Sequence, residues 1–145
     1  MSDKCFLDTN ILIYAIDASP GESPKRDLAR ETLKRHIRDE NGVISIQVLQ
    51  EFYQTATHKI QVPLSTQEAI EFMHHVSILE TVQPDFHLVL AAIHLHRQYV
   101  LSFWDALILQ SAMIAGCSQL LTEDMQDGFC LEGLIIKNPF KAPPS

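Results

Sequence analysis

The sequence predicts an α/β protein in which a parallel sheet of about five strands is flanked by helices. Two observations indicate this fold: short apolar runs alternate with longer segments of helical periodicity, and capping or helix-breaking residues separate the two. The length of 145 residues, with 46% hydrophobic and 20% charged residues, corresponds to one ordinary globular domain. We expect that domain over residues 1–140, followed by a short Pro-rich tail over 141–145.

Five short apolar runs are the predicted strands. They consist mainly of aliphatic and aromatic residues, as is typical of buried parallel strands. In chain order they cover residues 5–7, 43–44, 78–82, 119–121 and 134–136. Because right-handed crossovers join parallel strands, we expect the carboxyl ends of the strands to meet at one edge of the sheet.

Six helices are predicted between these strands from capping residues and helical periodicity. The signals that start them are, in chain order, Thr9 or Asn10, Ser23 with Pro24, Ser45, Ser65 with Glu68, Pro84, and Ser102. The predicted helices end at about residues 16, 39, 62, 75, 99 and 115. Only Gln110 and Ser111 interrupt the apolar character of the last helix, so we expect it to be enclosed inside the protein.

The charge distribution is uneven along the chain. A formal net charge of −7 disfavours a broad, non-specific attraction to nucleic acid. The second predicted helix nevertheless carries basic residues at i, i+4 spacing, which places them on one side of the helix. They are Arg26, Arg30, Lys34 and Arg38. Such a stripe is most often a solvated face, and contact with RNA phosphates is the alternative.

Several functional classes are disfavoured by what the sequence lacks. No apolar run approaches the roughly 18 residues of a membrane span and no signal peptide precedes Asp8, so no membrane partner is expected. The three cysteines, Cys5, Cys117 and Cys130, have no metal-site spacing and fit free thiols in a reducing cytoplasm. There is no Gly-x-Ser-x-Gly elbow, P-loop, dinucleotide fingerprint or His-Glu-x-x-His motif.

Four acids are the candidate functional residues: Asp8, Glu51, Asp105 and Asp124. Each has an ordinary explanation, as a helix cap, a turn residue or an exposed helix residue. Two of them follow predicted strands and a third opens the enclosed helix, so the fold can bring them together. Carboxylates in close proximity repel and need a cation to stay ionised. Hard oxygen ligands select Mg²⁺ or Mn²⁺.

Four ordered segments resemble the signature segments of the PIN-domain nucleases. They are Leu-Asp8-Thr-Asn10, the segment from Ser45 to Glu51-Phe-Tyr, Phe-Trp-Asp105-Ala, and Leu-Leu-Thr122-Glu-Asp124-Met-Gln-Asp127-Gly. The closing Ile-Lys-Asn138-Pro139-Phe140 is similar to the usual end of that family. Within the family, the chain most resembles the compact VapC-like toxins of bacterial toxin–antitoxin pairs. The resemblance covers nearly the whole chain.

The resemblance implies a PIN-like three-layer fold and a metal-dependent ribonuclease that uses Mg²⁺ or Mn²⁺. It assigns a catalytic role to the quartet Asp8, Glu51, Asp105 and Asp124, and metal binding to Asp8, Asp105, Asp124 and Asp127. It also implies that Asn10 and Thr122 order the pocket. The expected partners are an RNA substrate, a cognate antitoxin and a second copy in a homodimer. The alternatives are an RNA-processing nuclease without an antitoxin and a non-catalytic RNA-binding or interaction module.

Overall fold

The structure is a computed structural model and describes residues 3–141. It confirms the α/β fold, with six strands in the sheet where about five were predicted. The strands are β1 (Cys5–Leu7), β2 (Gly42–Ser45), β3 (Glu80–Val82), β4 (Gln119–Leu121), β5 (Cys130–Leu131) and β6 (Leu134–Lys137). The helices are α1 (Thr9–Ile16), α2 (Ser23–Arg38), α3 (Ile46–His58), α4 (Thr66–Val76), α5 (Phe86–Gln98) and α6 (Phe103–Ile114). Of the predicted tail, all but Lys141 lies outside the described residues.

The sheet has the strand order β3-β2-β1-β4-β6-β5, which places β1 between β2 and β4. All neighbouring strands are parallel except β5 and β6. In the pair of β1 with β4, Leu7 lies opposite Leu121. The two strands therefore end level with each other, and the residues that follow them emerge at the same edge of the sheet.

The sixth strand, β5, was missed because it is only two residues long and carries no periodic signal. It forms an antiparallel hairpin with β6. The two turn residues, Glu132 and Gly133, have positive φ angles of 48° and 86°. Positive φ at both central residues is the conformation that matches the twist of a two-residue hairpin.

The core lies on the central strands and beneath the helices that cover them. Phe6, Ile44, Leu120 and Ile136 each expose 1% or less of their surface. Helix α1 packs on α2 and α3, α3 packs on α4, and α5 packs on α6. Helix α6 buries six of its twelve residues, whereas Trp104 and Ile114 near its two ends are exposed, so only its middle is enclosed as its apolar sequence predicted. None of the helices described within residues 3–141 is long and apolar enough to cross a membrane.

Three helix starts differ from the prediction, and one of them is that of α5, which Asp85 caps and which begins at Phe86, where Pro84 was the expected start. Asp8 itself caps α1, where Thr9 or Asn10 was expected. All three residue types can cap a helix, so the sequence did not distinguish them. Helix α2 begins at Ser23, and the capping position belongs to Glu22, whose side chain makes no capping hydrogen bond.

The start of β2 requires a glycine. A Cβ atom at Gly42 would lie 2.8 Å from Leu79 Cδ2 and 3.1 Å from His36 Cβ. Only a residue without a side chain lets the strand enter the sheet this close to its neighbours. The absence of a side chain at Gly42 is therefore a packing requirement of β2, the strand that leads into α3.

Candidate metal centre

Asp8 lies immediately after β1, and only 5% of its surface is exposed. Its extended backbone lets Oδ1 accept a hydrogen bond from the backbone N–H of Thr9 at 2.7 Å, which caps α1. Its Oδ2 accepts a hydrogen bond from the Thr122 hydroxyl at 2.8 Å. A buried carboxylate is tolerated only when such donors replace water. Asp8 is thus a helix cap and also a buried acid at the carboxyl edge of the sheet.

Thr122 is the central residue of a hydrogen-bond network that joins this edge together. It follows β4 and is fully buried. Besides donating to Asp8, its Oγ1 accepts from Asn10 Nδ2 and from the backbone N–H of Asp124, both at 3.1 Å. Asn10 Nδ2 also donates to Asp124 Oδ2 at 3.1 Å. The structure therefore brings Asn10 and Thr122 into direct contact with two of the predicted acids.

Glu51 and Asp105 reach the same edge from two helices. Helix α3 begins where β2 ends, and β2 is the neighbour of β1. Asp105 lies in the first turn of α6, where its N–H donates to the capping Ser102 Oγ at 3.0 Å. The amino terminus of a helix favours a negative charge. Glu51 lies on the surface of α3 and accepts a hydrogen bond from Gln47 at 2.7 Å.

Burial and negative neighbours both raise the pKa values of three of the four acids. Burial raises the pKa of Asp8 to about 6; hydrogen bonds from Thr122 and Thr9 oppose this, while Asp124 and Glu51 add to it. Burial also raises the pKa values of Glu51 and Asp105, and negative neighbours add to both shifts. For Glu51 those neighbours are Asp105 and Asp124, and for Asp105 the neighbour is Asp124. Glu51, Asp105 and Asp124 therefore each disfavour the ionisation of a neighbouring acid.

The donor chemistry fits a hard divalent cation, although the side chains are not arranged as a preformed cage. Within residues 3–141, no group of three His, Cys, Asp or Glu side chains is close enough to hold a metal ion. The four carboxylates offer oxygen ligands, and their repulsion is what a cation between them would relieve. The buried hydroxyl of Thr9, the residue after Asp8, has no hydrogen-bond partner in the described part of the chain.

Asp127, the fifth acid predicted to bind metal, makes different contacts. Its Oδ1 accepts from the backbone N–H of Asn138 at 2.8 Å, and its Oδ2 lies 3.5 Å from Lys141 Nζ. The Asn138 N–H, followed by the charge of Lys141, lowers the pKa of Asp127. None of the quartet acids contributes to that shift. The structure thus groups Asp127 with the segment after β6 and not with the four acids.

The four basic residues of the predicted stripe lie in two different environments. Arg26 Nη1 donates to the carbonyl oxygen of Asp17 at 2.9 Å, and Arg30 Nε donates to that of Ala15 at 2.7 Å. These bonds fasten α2 to the carboxyl-terminal end of α1. Lys34 and Arg38 lie further along the same helix and are exposed. Two of the four candidate RNA-binding residues therefore have a structural task.

Three further polar residues beside the acids were not indicated by sequence patterns. The Tyr14 hydroxyl donates to Glu123 Oε1 at 2.6 Å, and Lys25 Nζ donates to both Tyr14 and Glu123 at 3.2 Å. Asn10 Oδ1 also accepts from the N–H of Glu123, at 3.4 Å. This cluster connects α1, α2 and the segment after β4. Its members are far apart in the chain, so no spacing could have revealed them.

The fold and this site define an α/β protein with an acidic, hydrogen-bonded cluster at the carboxyl edge of its sheet. A sequence model of one family, the PIN domain, matches residues 5–127. The chain belongs to the PIN domain family. A comparison with curated proteins finds no significant match in sequence.

Solved structures with this fold include complexes and toxins from several bacteria. A toxin–antitoxin complex from Klebsiella pneumoniae is 19% identical, with a TM-score of 0.68 over 96% of this chain and 100% of the other. VapBC from Rickettsia felis, bound to a DNA fragment from its promoter, is 22% identical, with a TM-score of 0.63 over 92% and 97%. A Mycobacterium tuberculosis VapC toxin that cleaves the sarcin–ricin loop is 16% identical, with a TM-score of 0.61 over 81% and 87%. At these identities the likeness concerns the fold.

Proposed function

We propose that the protein is a cytoplasmic endoribonuclease that hydrolyses RNA phosphodiester bonds with the help of Mg²⁺ or Mn²⁺. The observation that carries the proposal is the hydrogen-bonded edge of the sheet, where Thr122 joins Asp8 to Asp124 and the other two acids arrive from α3 and α6. Pure RNA binding needs no such group, because carboxylates repel a polyanion. Membership in the PIN domain family supports a nuclease reading of the same residues.

The residues divide into three roles. Asp8, Asp105 and Asp124 would hold the cation, and Glu51 would complete the negative site. When bound, the cation supplies a water of lowered pKa and stabilises the leaving oxygen. Thr122 and Asn10 keep Asp8 and Asp124 oriented through their hydrogen bonds. Direct binding by Asp127 remains a prediction, and its bonds to Asn138 and Lys141 make it the least favoured of the ligands.

We also propose that the protein is the toxin of a type II toxin–antitoxin pair. Two of the similar structures named above are a toxin–antitoxin complex and a VapBC complex. A suitable surface exists here: an apolar groove of about 850 Å³ lies between α1, α2 and α4. Its lining includes Leu33 and Phe72 together with the basic Lys34 and Arg38. An antitoxin segment with apolar side chains and acidic flanks fits this combination.

A homodimer is the assembly we propose, with α5 at the interface. Phe86, Leu90 and Ile93 are 71%, 39% and 38% exposed, and their spacing places them on one face of that helix. A second copy of the chain would cover this face. Leu90→Lys should convert the dimer to a monomer in sedimentation equilibrium. A wild-type protein that sediments as a monomer at all concentrations would contradict the proposed assembly.

Cleavage of a labelled RNA tests the nuclease proposal. The wild type should cleave in Mg²⁺ or Mn²⁺ and not in a chelator. Asp8→Asn should be inactive while remaining folded by circular dichroism. Glu31→Gln is the matched control, because Glu31 is an exposed acid on α2 outside the proposed site, and it should cleave like the wild type. Cleavage by Asp8→Asn at the wild-type rate would exclude the proposed centre.

Expression without any partner protein tests the toxin proposal separately. The wild type should arrest bacterial growth and Asp8→Asn should not, because arrest requires the proposed cleavage. If the bacteria grow normally although the wild type cleaves RNA, an RNA-processing nuclease without an antitoxin is favoured. If they grow equally well with both proteins and the wild type does not cleave RNA, the non-catalytic RNA-binding module is favoured.

A further inference from the structure

We infer that Gln47 is a positioning residue for the proposed nuclease centre: it holds the Glu51 carboxylate of α3 against the first turn of α6, beside Asp105. The inference rests on the proposed function, because it concerns how two of the four acids are kept in place. Gln47 is half-buried. It is a neutral residue without an assigned role.

The side-chain amide of Gln47 uses one nitrogen to make two hydrogen bonds. Its Nε2 donates to Glu51 Oε1 at 2.7 Å and to the carbonyl oxygen of Trp104 at 3.1 Å. A primary amide nitrogen carries two hydrogens, so both are used. Because both partners can only accept, the nitrogen and not the oxygen of the amide must face them. The orientation of the side chain is therefore fixed by its chemistry.

The contact with Trp104 distinguishes this arrangement from an ordinary surface pair. Gln47 and Glu51 are four residues apart on α3, and such pairs are common on exposed helices. The second hydrogen bond crosses to another element, 57 positions away in the chain. Its acceptor belongs to the residue directly before Asp105. One amide thus connects the two helices that contribute Glu51 and Asp105 to the site.

A neutral hydrogen-bond donor suits position 47 better than a positively charged side chain would. The amide of Gln47 donates to the Glu51 carboxylate at 2.7 Å without adding a charge to the site. A lysine here would neutralise a charge that the bound cation is proposed to need. A glutamine orients the carboxylate and leaves its charge intact. Mutation of a residue that hydrogen-bonds a metal ligand typically lowers metal affinity or activity 10–100-fold.

Gln47→Met tests the inference, because it removes both donors and retains a long, unbranched, helix-favouring side chain. Mn²⁺ titration of the metal-free protein by calorimetry is the first readout. We expect the affinity to fall by about 10–100-fold and the melting temperature to move by no more than about 4 °C. In RNA cleavage at saturating Mn²⁺, kcat should fall more than KM rises, because the substrate-binding surface is intact. Unchanged Mn²⁺ affinity and kcat in Gln47→Met would overturn the inference.

Gln54→Met is the matched control on the same helix. Gln54 is exposed, and no hydrogen bond to its side chain is found within residues 3–141. This variant should match the wild type in Mn²⁺ affinity and kcat. A loss equal to that of Gln47→Met would mean that any glutamine removed from α3 has the effect, and would overturn the specific role.

A thermodynamic cycle separates positioning from general stabilisation of α3. In the Glu51→Gln background, Gln47→Met should cause no further loss of Mn²⁺ affinity, because its target carboxylate is gone. An equal loss in both backgrounds would overturn the inference. The proposed function fails differently: the wild type itself would neither bind Mn²⁺ nor cleave RNA. If the wild type does both and Gln47→Met behaves like it, only the role of Gln47 fails.

Discussion

Two sets of interactions act in opposite directions on the ionisation of Asp8. Its carboxylate accepts two hydrogen bonds, including the cap of α1, and both favour the ionised form. Burial and two negative neighbours favour the protonated form and prevail, so the pKa rises from 3.8 to about 6. A residue chosen only to cap α1 would not need this burial. The buried acid therefore costs stability, which its proposed role in the metal centre would explain.

The first prediction concerns stability against pH for Asp8→Asn in the presence of a chelator. The pKa of Asp8 in the folded protein, about 6, exceeds the ordinary value of 3.8. Its contribution to the free energy of unfolding is therefore fully present below about pH 4. As the pH rises through 6 this contribution is lost, and the free energy of unfolding falls by about 3 kcal/mol. The asparagine variant does not ionise but offers one acceptor fewer. It should unfold at higher urea than the wild type at pH 7, with a net gain of about 1–2 kcal/mol.

The gain of Asp8→Asn should disappear at pH 4, where Asp8 of the wild type is largely protonated. Urea unfolding at the two pH values provides the comparison. A difference between the proteins that does not change with pH would show that Asp8 ionises in the folded state as easily as in the unfolded chain.

Thr122 gives the second prediction at this scale. Its hydroxyl contacts Asp8, Asn10 and the backbone of Asp124. Thr122→Val keeps the shape but removes the hydroxyl that donates to the buried Asp8 carboxylate, which should lower the free energy of unfolding by about 2 kcal/mol. Thr122→Ser retains the hydroxyl and should lose only about 1 kcal/mol, for its missing methyl group. If Thr122→Ser is as destabilising as Thr122→Val in urea unfolding, the hydrogen bonds of the Thr122 hydroxyl do not contribute to stability.

At the scale of elements, the strands that position the site were predictable. The cap of α1, strand β5 and the contact of Lys25 with Glu123 were not. The apolar runs of β1 and β4 predicted that Asp8 and Asp124 would meet at one edge, and the structure brings them to a shared partner, Thr122. The cap of α1 was misassigned, because three consecutive residues could all serve. Strand β5 is too short to show a period. Lys25 and Glu123 meet only through the fold, which no local pattern encodes.

The third prediction concerns helix α2. Lys34 and Arg38 are the stripe residues without a bond to α1, so they report on RNA binding most cleanly. If RNA contacts the stripe, the double change Lys34→Gln/Arg38→Gln should weaken binding and reduce the salt slope by about 1.4, since two fewer phosphates are neutralised. Stability should stay unchanged. An unaltered slope across a salt series would assign this face to the antitoxin or to solvent.

Arg30→Gln is the contrasting control for the same helix. The loss of its hydrogen bond to Ala15 should lower the free energy of unfolding by about 1 kcal/mol, measured in urea. Lys34→Gln should show no such loss. Equal stability of Arg30→Gln and the wild type would mean that the bond between α2 and α1 does not stabilise the fold.

At the scale of the whole molecule, an acidic chain must bind a polyanion locally. With a net charge of −7, the proposed attraction to RNA would have to come from a cation at the four acids or from basic surface such as α2. The sheet makes this possible, because the level ends of β1 and β4 place two acids together while α3 and α6 supply the others. A bound cation would also stabilise the folded state by mass action.

Calorimetric titration of the metal-free protein with Mn²⁺ tests the central claim, that the four acids form a divalent-cation site. The wild type should bind Mn²⁺ saturably, and the double amide variant Asp8→Asn/Asp124→Asn should give no binding heat in the same range. The variant must first be shown to be folded, by its circular dichroism and melting temperature. Equal Mn²⁺ binding by the wild type and the folded double variant would contradict the account.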